Sequence, residues 1–224
     1  MPANNLTIRQ YLSELTPYKA TLIAVSKTKP DALIQAFYDQ VGQRDFGENK
    51  VQELVGKYER LPKDIRWHMI GHLQTNKVKY LAPFVHLIHS VDSEKLLREI
   101  NKEARKNNRT IKVLLQVHIA QETEKFGFSM EEAQRLLEGN TVQELVHVNV
   151  VGLMGMATNT TDEQQIHHEF AQLKAFQDTL GPRLKGPNIH LDALSIGMSG
   201  DYRIALQNGG TLIRIGTALF GSRD

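Results

Sequence analysis

The sequence predicts a single (β/α)8 barrel of the TIM type. Short runs rich in Val, Ile and Leu alternate with longer stretches of helical period, which is the pattern of parallel strands joined by crossover helices. Eight such runs fit into 224 residues, and an eightfold alternation in this length favours a closed barrel over an open sheet. The chain is 41% hydrophobic, enough to bury one large core, so we expect residues 1–224 to form one domain.

Each predicted strand leads into a loop at the same end of the barrel. The runs, each with its last residue, are TLIAVSK (Lys27), QRDFGEN (Asn49), RWHMIGH (His72), VHLIHSVD (Asp92), KVLLQVHI (Ile119), VNVVGLMGMA (Ala157), LDALSIGM (Met198) and TLIRIG (Gly216). Between them, helices are predicted at 31–40, 93–106, 130–138 and 161–179. Only TALFGSRD follows the last run, so we expect an extra N-terminal helix at 5–15 to cover the gap in the outer ring.

Composition narrows the classes of function. The 27 basic and 25 acidic residues give a net charge of +2 and are mixed along the chain, so no strong field favours nucleic acid or an anionic membrane. The absence of cysteine excludes disulfides, thiolate metal sites and a cysteine nucleophile, and it is compatible with a reducing compartment. The N-terminus lacks a signal-peptide core, and no segment reaches the apolar length of a spanning helix. We therefore expect a soluble cytoplasmic protein.

Two common catalytic classes find no support in the motifs. The chain has nine histidines but no H-E-x-x-H pattern, and His68 and His72 stand four apart in a predicted strand, where they would not share a helix face. No G-x-S-x-G motif supports a serine nucleophile. We expect no metal site and no Ser-His-Asp triad.

Lys27 is the first candidate for chemistry. It follows a buried-looking apolar run at the end of the first predicted strand, where partial desolvation favours the neutral amine that attacks an aldehyde. Like-charge repulsion from Lys29 also favours the neutral amine of Lys27. On position alone, a strand-end lysine extending its amine to water is the commoner interpretation. Lys27 therefore needs independent support.

That support lies in the loops after strands seven and eight, the usual phosphate site of a β/α barrel. Ser199 is expected to cap a helix starting near Gly200, leaving the N–H groups of the first turn to face an anion. Gly216 and Thr217 leave strand eight with an unhindered backbone and a hydroxyl group. Each loop alone is equally compatible with an ordinary cap or turn, but the two together favour phosphate.

Arg214 lies between two isoleucines and shares its strand face with Gly216. A guanidinium always donates, so a ring nitrogen that it contacts must accept and stay unprotonated, which makes a pyridine a poor electron sink. The alternative is an arginine that points to the outer helices and pairs with an acid. Asn49, His72, Gln74 and Asn76 supply neutral hydrogen-bonding groups at the ends of strands two and three, or serve only as turn and cap residues.

Six blocks together carry a family resemblance. AVSKTKP, FGEN, WHMIGHLQTNK, GLMGM, SIGMSGD and RIGTALFG occur in this order over nearly the whole chain, which resembles the pyridoxal phosphate homeostasis protein family of the YggS/PROSC type. The resemblance implies a fold-type III pyridoxal phosphate barrel, like the N-terminal domain of alanine racemase but standing alone. His118 and Ala120 depart from the small polar residues that many members carry, which puts only the strand-five loop in doubt.

The resemblance also assigns site residues. It implies that Lys27 forms the Schiff base with pyridoxal 5'-phosphate and that Arg214 contacts the pyridine ring. It implies that Ser199, Gly216 and Thr217 bind the phosphate. Asn49 matches the family's asparagine after strand two, and Lys125 matches a second lysine associated with cofactor handling.

Function follows as an expectation from the same resemblance. Family members bind and buffer the cofactor, supplying apo pyridoxal phosphate enzymes through transient contact, without established catalysis; we expect a monomer. Racemisation needs acid/base groups on both faces of the bound cofactor, and in alanine racemase the second comes from a C-terminal domain that we do not expect here.

Two alternatives stay open at this point. The first is an amino-acid racemase or lyase whose second base is Tyr202 or comes from a partner chain. The second is a cofactor-free Schiff-base aldolase acting on a sugar phosphate, because a barrel lysine beside a phosphate site also fits that chemistry.

Overall fold

Eight parallel strands close into a barrel in sequence order, with the last strand paired to the first. A computed structural model describes residues 5–122 and 126–221 of the chain. The strands are β1 Thr21–Val25, β2 Asp45–Glu48, β3 Arg66–Met69, β4 Leu87–Val91, β5 Ile111–Gln116, β6 Val148–Met154, β7 Ile189–Ser195 and β8 Leu212–Ile215. This confirms the (β/α)8 barrel, although each predicted strand runs one to three residues past its observed end, where the chain has already left the ladder for a loop.

Helices surround the barrel. They are α1 Asn5–Leu15, α2 Asp31–Val41, α3 Val51–Arg60, α4 Val78–Leu81, α5 Glu94–Lys106, α6 Met130–Glu138, α7 Asn140–Glu144, α8 Glu163–Leu180, α9 Tyr202–Gln207 and α10 Thr217–Phe220. Three 3-10 turns, Thr16–Tyr18, Thr75–Lys77 and Gly181–Arg183, adjoin them. Within the described ranges, no helix combines the length and apolar character needed to cross a membrane.

The helix starts follow their caps. Ser93 accepts a hydrogen bond from the backbone of Leu96 and so begins α5, as predicted. Ser129 and Glu132 form a reciprocal capping box at the start of α6. The long helix predicted at 161–179 begins two residues later, because the carboxylate of Asp162 caps α8.

The N-terminal helix closes the outer ring as predicted. α1 packs against β1, α2 and the short α10, and Ile8 and Leu15 on its inner face are almost fully buried. Burial of such side chains contributes roughly 1.5–3 kcal/mol each. A smaller apolar cluster inside the barrel contains Leu87, Leu114 and Met154. That the whole chain folds as one domain stays a prediction.

Strands β6 and β7 approach so closely at Gly152 that no other side chain fits. A β-carbon there would lie 1.8 Å from the carbonyl oxygen of Ala193. We expect Gly152→Ala to lower the free energy of unfolding by about 3 kcal/mol, because the backbone must shift to admit the methyl group. Urea unfolding would measure the change. Gly181→Ala is the control, since its β-carbon would be 3.9 Å from the nearest atom, in Leu191; equal losses in the two variants would contradict the steric argument.

Candidate functional site at the carboxyl ends of the strands

The predicted site residues lie on loops that are consecutive around the barrel. β1 pairs with β2 on one side and with β8 on the other, and β8 pairs with β7. Lys27 follows β1, Asn49 follows β2, Ser199 follows β7, and Gly216 and Thr217 follow β8. The closed barrel therefore gathers both ends of the chain at one rim. Lys125, the predicted second lysine, lies outside the described residues.

The loop that carries Lys27 is held in an uncommon backbone conformation. Lys27 is half-buried, and the next residue, Thr28, has a φ of 64°, in the left-handed region that β-branched residues rarely adopt. The amide of Thr28 donates to a carboxylate oxygen of Glu53 at 2.5 Å, and the amide of Ser26 donates to the carbonyl of Gly47 at 3.0 Å. Such strain persists only where the surroundings enforce it, and it is frequent at functional sites.

A buried ion pair beneath this loop supplies that enforcement. The ammonium of Lys57 donates to the Ser26 carbonyl, to Glu48 and to Glu53, each at 2.7 Å. The hydroxyl of Ser26 donates to the same oxygen of Glu48 at 2.6 Å. Burial raises the pKa of Glu48, and the ammonium of Lys57 opposes that rise only in part. Both residues that flank Lys27 are thus fixed to one network.

Asn49 presents an unsatisfied acceptor at the neighbouring strand end. Its side-chain oxygen is buried and has no hydrogen-bond partner among the described residues. A buried polar atom left unpaired costs roughly 1–3 kcal/mol, so a group that donates to it would be favoured there. Its backbone is approached closely by Gly71, where a β-carbon would lie 2.4 Å from the carbonyl oxygen of Asn49.

The loop after β7 differs from the prediction. Ser199 does not cap a helix, because α9 begins only at Tyr202 and its N-cap residue, Asp201, makes no side-chain cap bond. Instead the carboxylate of Asp201 accepts from the amide of Met198 at 2.5 Å and closes a turn around Ser199 and Gly200. Within the described chain, the backbone amides of these two residues donate no hydrogen bond to another backbone group, so they are available to an anion for a different reason from the one expected.

The loop after β8 meets the end of β1. A β-carbon at Gly216 would come within 3.2 Å of the side chain of Val25, two residues before Lys27. Thr217 is exposed and opens the short helix α10, and the first amides of a helix have no acceptor within it. Gly216 and Thr217 therefore combine an open backbone, a hydroxyl group and a free amide beside the lysine loop.

Arg214 points into the barrel, which excludes the alternative of an arginine paired with an acid on an outer helix. It is 4% exposed, and one terminal nitrogen donates to the carbonyl and hydroxyl of Ser195 at 2.7 and 2.5 Å. The other donates to the carbonyl of Gly155 at 3.1 Å. Burial lowers the pKa of Arg214 to about 10, so the group stays charged at neutral pH. A guanidinium has five N–H donors, so three hydrogen bonds do not saturate it.

The remaining candidate residues from the sequence lie in different surroundings. His72 lies at the rim, where its Nδ1 atom donates to a carboxylate oxygen of Asp92 at 2.9 Å and its ring stacks on that of Phe126 with the centroids 4.1 Å apart. Gln74 is exposed just before the 3-10 turn Thr75–Lys77, and Asn76 is exposed within that turn. Tyr202, considered as a second base, turns its hydroxyl away to Glu14 of α1 at 2.6 Å, and burial raises its pKa to about 12. Its placement contradicts a role as a base at this rim.

Comparison with known proteins identifies the family. The model of the alanine racemase N-terminal domain matches residues 3–224. A pyridoxal phosphate homeostasis protein of Aquifex aeolicus (strain VF5) is 42% identical over 205 residues, which cover 91% of this chain and 87% of that protein. The chain belongs to the pyridoxal phosphate homeostasis protein family. A relative of the same name from Vibrio alginolyticus is 37% identical over 215 residues, 93% of this chain and 89% of that protein.

Solved structures agree with this assignment. PipY of Synechococcus elongatus PCC7942 has been solved with PLP bound and is 35% identical, with a TM-score of 0.85 over 96% of this chain and 98% of that one. Its structure without PLP gives a TM-score of 0.88. Alanine racemase from Bartonella henselae, at 17% identity and a TM-score of 0.71, covers 96% of this chain and 57% of that chain and shares the fold alone.

The supporting residues Glu48, Lys57 and Ser195 were absent from the sequence prediction. A lysine in an amphipathic helix is normally exposed, so nothing in the pattern of α3 marks Lys57 as buried. Glu48, however, stands inside the run QRDFGEN that was assigned to a strand. A charged residue within a buried strand requires a partner, and that signal was available.

The buried pair predicts a pH-dependent loss of stability. Lys57→Met leaves the Glu48 carboxylate buried without its cation, so we expect the free energy of unfolding to fall by about 3–5 kcal/mol at neutral pH. Without the ammonium, the pKa of Glu48 rises further above its unfolded value of about 4.3, so the deficit shrinks as the pH falls toward that value. Urea unfolding between about pH 5 and pH 8, the range in which most proteins are most stable, would measure this deficit.

Lys95→Met on the exposed face of α5 is the control and should change stability by less than about 0.5 kcal/mol at any pH. A deficit for Lys57→Met that does not depend on pH would show that lost packing, not the stranded carboxylate, causes it.

Proposed function

We propose that this protein binds pyridoxal 5'-phosphate and buffers it, through a reversible Schiff base on Lys27, as a carrier without catalysis. The observation that carries the proposal is the meeting, at one rim, of the constrained lysine loop after β1 and the strand that holds Arg214 inside the barrel. The residues fit the cofactor on a second ground, since the buried oxygen of Asn49 lacks a partner within the described chain. Relatives that carry the homeostasis name and PLP-bound PipY support the cofactor's identity.

Lys27 supplies the covalent attachment. The bound cofactor would supply an aldehyde with which the amine of Lys27 could condense, with loss of water, and hydrolysis would reverse that attachment. The cofactor supplies the aldehyde, and the protein supplies its orientation.

Ser199, Gly216 and Thr217 are proposed to bind the phosphate. The amides of Ser199 and Gly200 are not used within the described chain, and that of Thr217 opens a helix. Backbone N–H groups and hydroxyls converging from two adjacent loops are the usual phosphate ligands of a β/α barrel. These neutral donors, rather than a cluster of cations, would provide most of the affinity.

Arg214 favours holding the cofactor over using it. A permanent donor facing the pyridine nitrogen keeps that nitrogen unprotonated, which weakens the ring as an electron sink. The alternative, a racemase or lyase, requires a second acid/base group, and the residue considered for it, Tyr202, is bonded to Glu14. The carrier therefore agrees better with the side chains at this rim.

The finer attributes stay part of the proposal. We infer transient contact with apo pyridoxal phosphate enzymes, a monomeric state and a cytoplasmic location. Lys125 is proposed as a second lysine that handles the cofactor.

If Lys27 holds the cofactor as a Schiff base, chemical reduction should trap a covalent adduct on this residue. Borohydride reduction of the protein loaded with pyridoxal phosphate should fix the cofactor on Lys27, because reduction converts the C=N bond to a stable amine. Digestion and mass spectrometry would locate the modified lysine, and its added mass would distinguish pyridoxal phosphate from a sugar. Lys27→Ala should abolish the Schiff-base absorption band and Lys29→Ala should keep it. A wild-type protein without the band would overturn the proposal.

The carrier also predicts cofactor transfer without turnover. Loaded protein mixed with an apo pyridoxal phosphate enzyme should restore that enzyme's activity, while its own incubation with D- or L-amino acids should yield no product. Both can be followed in one chiral chromatography assay. Steady turnover that Lys27→Ala abolishes would favour the racemase or lyase instead.

A further inference from the structure

A continuous chain of hydrogen bonds crosses the barrel interior and ends at Arg214. The His68 Nε2 atom lies 3.0 Å from the carboxylate of Asp45, and its Nδ1 atom lies 2.9 Å from His89 Nε2. The Nδ1 atom of His89 lies 2.8 Å from the hydroxyl of Ser195, which accepts from Arg214 at 2.5 Å. We call these five residues, Asp45, His68, His89, Ser195 and Arg214, the interior wire.

The wire joins opposite ends of the barrel. Asp45 is the first residue of β2 and pairs with the half-exposed Arg66, whose guanidinium donates to its two oxygens at 2.8 and 2.5 Å. The contact from β4 to β7, between His89 and Ser195, spans the lumen rather than neighbouring strands. The three central side chains are at most 2% exposed.

The chemistry of the members fixes the direction of every hydrogen bond. Burial alone would raise the pKa of Asp45, but hydrogen bonds from Arg66 and His68 hold it well below its usual range, so this carboxylate only accepts. His68 must then carry its proton on Nε2 when it is neutral, and His89 must donate through Nε2. Burial lowers the pKa of His89 far below its ordinary value, so its Nδ1 atom accepts from Ser195.

The reverse direction of the hydrogen bonds would leave the wire incompletely paired. Moving the proton of His68 from Nε2 to Nδ1 would set two acceptors, His68 Nε2 and the Asp45 carboxylate, against each other. It would also turn His89 to the other tautomer and oblige the Ser195 hydroxyl to accept from both sides. The groups that face His68 include Asp45, His89 and the ring of His86, and burial lowers the pKa of His86 to about 4. A network that is satisfied in only one direction holds its end groups in fixed orientations.

A metal site would be a different use of the same residues. Asp45, His68 and His86 have ligand atoms within 4.8 Å of one another. The guanidinium of Arg66 already occupies both carboxylate oxygens, and a cation would have to displace it. The geometry favours the hydrogen-bonded wire.

We propose that Asp45, His68, His89 and Ser195 are positioning residues that hold Arg214 against the pyridine ring of the cofactor. The proposal rests on the proposed function and deepens it, since it assigns control of the ring contact to the opposite end of the barrel. Ser195 is the member that touches Arg214, and Asp45 sets the direction of the protons from a distance.

The apoprotein tests the direction of the wire. Long-range proton–nitrogen NMR of histidine-labelled protein should show His68 and His89 each as the single Nε2–H tautomer. Asp45→Asn keeps the shape but offers a donor as well as an acceptor, so we expect it to populate the Nδ1–H tautomer at both histidines. His86→Asn, a change beside His68 and outside the wire, should leave His89 unchanged. A His89 tautomer that ignores Asp45→Asn would overturn the proposal.

The loaded protein tests the positioning role. Dissociation of pyridoxal phosphate, timed by decay of its absorption band, should become about tenfold faster in Ser195→Ala, as expected when a hydrogen bond to a charged group is lost. Asp45→Asn should also speed release and shift the band, but should add nothing in the Ser195→Ala background, because its influence passes through Ser195. If the effects of Asp45→Asn and Ser195→Ala on the release rate add in the double variant, the proposal is overturned, because Asp45 then acts on the cofactor independently of Ser195.

The two failures are distinguishable. If the wild-type protein takes up no pyridoxal phosphate, the proposed function fails and the positioning role fails with it, whatever the tautomers. If it binds the cofactor but Asp45→Asn leaves the release rate and the band unchanged, the proposed function stands and the wire is overturned.

Discussion

Closure of the sheet between β8 and β1 is the constraint on which the proposed site depends. Ile23 pairs with Arg214 in that ladder, so the strand leading to Lys27 lies beside the strand that carries the arginine. Parallel closure also sends every strand end to one rim, where loops from the first and last quarters of the chain become neighbours. Glycine at 216 permits the close approach to Val25 that completes this junction. The chemistry proposed for the lysine therefore depends on a tertiary pairing rather than on any local motif.

Two polar networks fix the two sides of that junction. One lies between the barrel and the helices, where Lys57 joins Glu48 and Glu53 beneath the lysine loop. The other lies inside the lumen and ends at Arg214. Burying charges and imidazoles costs free energy unless they are paired, and buried groups that pair with one another tolerate few alternative geometries. Stability and preorganisation thus have the same source, because the groups that satisfy the buried charges also set the orientation of the lysine loop and the arginine.

The sequence predicted an element well where its hydrophobic period or a residue at its end determines the structure. The eight strands, the N-terminal helix at 5–15 and the helix at 130–138 all follow from hydrophobic period and caps. The alternation of β8 placed Arg214 on the same face as Gly216 but left open whether that face points inward. The sequence was less informative where two distant segments meet. Ser199 lost its expected cap because Asp201 closes the turn, and Tyr202 faces α1 because its hydroxyl donates a hydrogen bond to Glu14. Nothing in either segment indicates that His89 and Ser195, 106 residues apart, share a hydrogen bond across the lumen.

A carrier must hold its cofactor firmly and still give it up, and on the proposed function this chain separates the two requirements. The covalent bond is reversible by water, so its lifetime depends on how the lysine loop presents the amine, which the Lys57 network governs. The noncovalent hold depends on the phosphate loops and on the guanidinium, which the interior wire anchors. Because the networks share no residue, a substitution in one can alter retention of the ring without altering formation of the C=N bond. On the proposed function, that independence suits a tether, because the hold on the ring can be adjusted without changing how the amine is presented.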